Sequence, residues 1–170
     1  MTRMDLSQFD CSVARATEVI GERWTLLILR DALYGLTRFV DFQTDLGIAR
    51  NILSNRLRQL VAHGVMTRQL YQEQPDRYEY LLTDKGRAFF PVLAALMHWG
   101  DTWAFDGEPP RSLVHHACGR EGVQSVASCS NCGRELDAES VHIDPLPETI
   151  RHRVDEAVER WRRLSALPTK

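Results

Sequence analysis

The sequence predicts a mainly α-helical chain with one small β-hairpin, a small cysteine-bearing C-terminal appendage and a terminal helix. Three observations predict it. Apolar residues recur at helical spacing through roughly the first hundred positions. That period gives way to strand-like runs at 65–71 and 78–82, around a polar segment at 72–77 that holds the turn-forming pair Pro75-Asp76. Three of the four cysteines then cluster at 118, 129 and 132, beyond a Gly-Pro linker at 106–110.

The elements follow in order. Residues 12–21 form a short helix with Val13, Ala16, Val19 and Ile20 apolar. Residues 24–34 form a second, apolar on most sides through Leu26, Leu27, Ile28, Leu29 and Leu33, and hence a buried central helix closed by Gly35. A third helix spans 38–46 and ends at Gly47. A fourth begins near Ile48 and stops at Gly64, with Leu53, Leu57, Leu60 and Val61 on one stripe at i, i+4, i+7 and i+8. After the hairpin, Thr83 is an N-cap for a long helix reaching about residue 104. Phe89, Leu93, Leu96, Met97, Gly100 and Trp103 keep its helical spacing, and Pro91 should bend it. Two helices joined by a tight turn and followed by a β-hairpin make a winged helix-turn-helix.

The long helix, with Trp99 and Trp103, carries more large apolar surface than a domain of this size covers. It closes its own domain or pairs with a second copy; a homodimer is the favoured expectation. Beyond the linker, residues 113–141 hold the cysteine cluster, and a turn at 144–147 precedes a terminal amphipathic helix at 148–166. The expected organisation is a winged-helix and dimerisation domain at 1–106, a zinc-ribbon-like segment at 107–147 and the C-terminal helix at 148–170.

Composition narrows the function. With 170 residues, 44% hydrophobic and 26% charged, the chain reads as soluble and globular. No apolar run approaches the ~20 residues of a membrane helix, and the first ten positions lack a signal-peptide core, so a cytoplasmic location is expected. Net charge is only -2, yet the stretch 46–72 holds four arginines and no Asp or Glu. Such a local patch is what attracts a phosphate backbone.

The fourth helix concentrates the chemistry. Opposite its apolar stripe it carries Arg50, Asn51, Ser54, Asn55 and Arg58, all able to hydrogen-bond phosphates or base edges. Arg50, Asn51, Ser54 and Asn55 are the candidates for bases and adjacent phosphates, and Arg58 for phosphate. Arg56 borders the apolar stripe and either braces the helix or touches backbone. Arg77 at the wing tip and Arg38 at the start of the third helix are further DNA contacts. Glu73 and Asp76 oppose a phosphate at the wing tip.

In the appendage, His115-x2-Cys118 and Cys129-x2-Cys132 have the spacing of two knuckles that converge on one tetrahedral zinc ion. His116 or His142 are alternative fourth ligands. The other reading is a degenerate ribbon without metal. No thioredoxin-like context surrounds the Cys-x2-Cys pair. No Ser-His-Asp or paired-carboxylate arrangement is visible, and a four-ligand zinc leaves no open position, so an enzyme is not expected.

Several stretches together resemble the HxlR-type transcriptional regulators: residues 11–16, 21–30 with Glu22-Arg23-Trp24, Arg38-Phe39, 53–60 with Leu53-Ser54-Asn55-Arg56-Leu57, 78–86 and Pro91 through Trp99-Gly100. The resemblance covers roughly residues 10–104. It implies a bacterial MarR-like winged-helix homodimer that binds operator DNA, usually as a repressor, with the reading helix starting near Ile48. It also implies a place for oxidant or electrophile sensing at Cys11, since some family members use a cysteine near the N-terminus. The competing reading of Cys11 is a small packed residue. The effector itself is not legible; Trp24, Phe89 and Trp103 border the place a small hydrophobic ligand would take, but such aromatics are more often core than pocket. The alternative function is a winged-helix protein-interaction module, against which the acid-free face of the fourth helix argues.

Overall fold

The structure is a computed structural model and describes residues 6–107, 111–115, 117–121 and 126–136. The chain divides into two compact units, 1–125 and 126–170. Cys118 lies in the first unit, and Cys129 and Cys132 lie in the second.

After a 3-10 turn at Leu6–Gln8, the first unit runs α1 (Ser12–Ile20), α2 (Arg23–Leu33), α3 (Phe39–Leu46) and α4 (Arg50–Ala62). It continues with β1 (Met66–Gln72), β2 (Arg77–Leu82), α5 (Asp84–Arg87), α6 (Phe90–Trp103), β3 (Val114–His115) and β4 (Arg120–Glu121). The core gathers one face of each central element: Ile28 and Leu29 from α2, Phe42 from α3, Leu53, Leu57 and Leu60 from α4, and Met66 from β1. Each such side chain contributes about 1.5–3 kcal/mol by leaving water, which fixes the rotation of α4 and hence what its other face presents.

The turn between α3 and α4 depends on Gly47, whose left-handed backbone (φ 59°) lets its N–H close α3 on the Gln43 carbonyl. Ile48 is buried just after it and pins the turn to the core.

β1 and β2 pair antiparallel from Met66↔Leu82 to Gln72↔Arg77. The register slips between Leu70 and Gln72, so Tyr71 is left out of the ladder as a bulge. A third strand-like contact, unforeseen in the sequence, ties the start of α3 to this wing. Arg38 bridges Glu79, and the Tyr80 N–H donates to the Thr37 carbonyl at 2.7 Å. Arg38 is therefore the cap residue before α3 rather than part of the helix.

The expected single bent helix from Thr83 to residue 104 is two helices. Thr83 does cap, accepting from the Gly86 N–H at 3.2 Å, but α5 ends at Arg87. Pro91 then sits in the first turn of α6, where its missing N–H costs nothing, so it starts a helix instead of bending one. α6 buries only Ala94 and leaves Phe90, Val92, Leu96, Trp99 and Trp103 exposed.

In the second unit, Ser128 bridges Glu135 and the Leu136 N–H donates to the Ala127 carbonyl at 2.8 Å, making a short hairpin. The expected terminal helix at 148–166 lies outside the described residues.

Candidate nucleic-acid interface

The rotation of α4 sorts its polar side chains into three groups. At about 100° per residue, Asn51, Asn55 and Arg58 fall opposite the buried Leu53, Leu57 and Leu60, and all three are exposed. Arg50 and Ser54 fall on the flank next to the wing. Arg56 falls on the other flank, where its guanidinium lies 3.4 Å from the Glu22 carboxylate with its side chain 17% exposed. The structure places Arg56 as a brace between α4 and the start of α2, off the exposed face.

On the wing side a cleft of about 500 Å³ opens between α3, α4 and the hairpin, with Arg38, Arg50, Ser54, Asp76, Arg77 and Tyr80 in its lining. Arg50 lies over the Phe39 ring, 5.1 Å from the centroid, and Arg38 over the Tyr71 ring at 4.8 Å. Stacking of this kind holds a guanidinium in place while its edge stays free to donate. Neither stack was foreseen. The sequence signal was available only for Tyr71, an aromatic ending a strand beside a polar tip. Further along the hairpin Arg68 lies over Tyr78 at 3.6 Å, and the Tyr78 hydroxyl donates to Asp76 at 3.3 Å. Arg77 opens β2 and is exposed.

On α2, Asp31 is 1% exposed and pairs with Arg30 at 2.7 Å, while its Oδ2 has no hydrogen-bond partner among the described residues. Burial pushes its carboxyl above the ordinary range, against the opposing pull of Arg30. Arg30 also reaches Asp45 on α3 at 3.1 Å.

The remaining candidates are dispersed. Cys11 is the exposed cap residue of α1. Trp24 and Phe89 pack against the core, whereas Trp103 is largely exposed, so these three aromatics do not share one buried site. Cys118 lies in the turn between β3 and β4, and the His115 side chain is outside the described residues. In the second unit Cys129 and Cys132 share one tight turn, closed by Gly133 N–H to the Cys129 carbonyl and Cys129 N–H to the Arg134 carbonyl, both 2.8 Å. Hydrogen bonds from Arg134 and Cys129 hold the Cys132 thiol below its ordinary range. Among the described residues no three His, Cys, Asp or Glu side chains converge on one point. Nor is any described helix long and apolar enough to cross a membrane.

A short three-residue turn between two helices, a polar outer face on the second and a hairpin beside it define a winged helix-turn-helix protein. Residues 19–108 match the family described as HxlR-like helix-turn-helix. The chain belongs to this family of transcriptional regulators. An uncharacterized HTH-type transcriptional regulator of Mycobacterium bovis, Mb3122, is 47% identical over 137 residues, 80% of this chain and 86% of the relative. Among solved structures, PA1607, a candidate transcription factor, is 44% identical with a TM-score of 0.74, over 82% of this chain and 97% of its own. The redox regulator HypR in its reduced form is 30% identical with a TM-score of 0.51, over 54% of this chain and 92% of its own.

Proposed function

We propose that the chain is a sequence-specific DNA-binding transcriptional repressor that works as a homodimer on operator DNA in the cytoplasm. One observation carries the reading: the outermost face of α4 presents Asn51, Asn55 and Arg58, all exposed and with no acidic neighbour on the helix. The two Asn amides suit base edges in a major groove, where each good bidentate contact discriminates by about 1–3 kcal/mol, and Arg58 suits a flanking phosphate. The exposed apolar side of α6 is the proposed dimer surface, because Trp99 and Trp103 stand in water in the single chain. Two copies would present two reading helices to two half-sites.

Two further roles belong to the same reading. Cys11, exposed at the head of α1, is the proposed point at which an oxidant or electrophile alters DNA binding; the likeness to a redox regulator supports it. The Cys129–Cys132 turn is proposed to give two thiolates to a structural zinc ion, on its Cys-x2-Cys spacing and the closing Gly133.

Titration of a labelled duplex carrying the chain's own promoter region, against an unrelated duplex of equal length, tests the central reading. Binding that is tighter to the promoter and weakens with salt is expected. Equal and salt-insensitive binding to both would favour a protein-interaction module. Loss of the oxidant response in Cys11→Ser would support the sensing role, and an unchanged response would remove it.

A further inference from the structure

We infer that the cleft between α4 and the wing seats a phosphodiester group of one DNA strand, held by Arg38 and Arg50, so that Arg50 grips backbone and reading falls to Asn51 and Asn55. The inference rests on the DNA-binding reading above. It divides the polar side chains of α4 differently from their order in the sequence, where Arg50 stands first among the candidates for bases.

The rotation of α4 is the first support. The buried leucines set Arg50 and Ser54 on the wing-side flank, and Arg50 points about 100° from Asn51 and about 140° from Asn55. When Asn51 and Asn55 face the floor of a major groove, Arg50 faces its wall. With the wing directed at the neighbouring minor groove, the strand that separates the two grooves crosses the cleft.

The partners of the arginines are the second support. Arg30, Arg56 and Arg87 each hold a carboxylate of this chain. Arg38 and Arg50 form no ion pair among the described residues and are backed instead by the rings of Tyr71 and Phe39. A guanidinium stacked on one face and free at its edge is set to donate two parallel hydrogen bonds to a phosphate. The bulge at Tyr71 supplies one of these rings from outside the ladder. Arg77 and the Ser54 hydroxyl complete a lining rich in donors. The one acid in it, Asp76, already accepts from the Tyr78 hydroxyl.

The test compares a duplex recovered by selection with a scrambled duplex of the same length, titrated by fluorescence anisotropy at several salt concentrations. Arg38→Ala and Arg50→Ala should each weaken binding to both duplexes by the same factor, about tenfold, and lower the salt slope by about one. Arg50→Lys should keep the slope. Asn55→Ala should weaken binding to the selected duplex alone. Thermal melts confirm that each variant is folded. An Arg50→Ala variant that loses only the selected duplex, with its salt slope intact, would make Arg50 a base reader and overturn the inference. So would Arg38→Ala and Arg50→Ala variants that bind both duplexes as the wild type does. A wild type that binds neither duplex would instead remove the DNA-binding reading, and the inference with it.

Discussion

The Arg56 guanidinium stands 3.4 Å from the Glu22 carboxylate and joins α4 to the start of α2. It is an arginine in the middle of a basic helix that does not face outward. Its side chain is only 17% exposed, so it is held largely out of water as well as paired. Glu22 is 45% exposed, which screens the pair.

Arg56→Ala should therefore cost about 1 kcal/mol, or a few degrees of melting temperature. Calorimetry reads this directly. The preference among DNA sequences should stay as in the wild type, because the side chain is absent from the exposed face.

Asp31 predicts a pH dependence. Burial raises its carboxyl in the folded chain, so the folded state binds that proton more tightly than the unfolded state. Stability from this group is full below the unfolded-state pKa and is lost as pH rises through the raised folded-state pKa. Asn does not titrate. The melting temperature of the wild type minus that of Asp31→Asn should increase as pH falls from about 7 to about 4. A difference that shrinks over this range would contradict the assignment.

The α6 surface predicts an assembly. Trp103 is 75% exposed in the single chain, so Trp103→Glu should leave the monomer's fold intact. It should place an uncompensated charge in the proposed dimer interface. Sedimentation should then show a dimer for the wild type and a monomer for the variant, with operator affinity lowered about a hundredfold through loss of the second half-site. A wild type that sediments as a monomer at micromolar concentration would remove the dimer.

The cysteine turn predicts a metal content. Purified under reducing conditions, the chain should retain about one zinc ion, and Cys129→Ser/Cys132→Ser should retain none by elemental analysis. Equal metal in both proteins would take this turn out of the site.

Much of the winged helix was legible because apolar spacing dictates it. Leu53, Leu57 and Leu60 set the stripe of α4, and the same three residues are buried in the core. Gly47 marked a helix end that its left-handed backbone confirms. The break before α6 was missed because a proline reads the same in sequence whether it bends a helix or begins one; the cap at Thr83 and the end at Arg87 decide it. Arg56 was ambiguous because its position on the helix allows either side, and the partner it takes, Glu22, comes from another element. The rings under Arg38 and Arg50 come from other elements, and a bulge in β1 is needed for one of them. No spacing rule within a helix reveals such contacts.

The most direct test of the central claim is selection of bound sites from random duplex DNA, run with the wild type and with Asn51→Ala/Asn55→Ala. The account predicts a palindrome with half-sites about one helical turn apart for the wild type. It predicts that the variant still binds duplex DNA in a salt-dependent way but recovers no consensus. Recovery of the same palindrome by the variant would show that α4 does not read the sequence through this face, and would contradict the account.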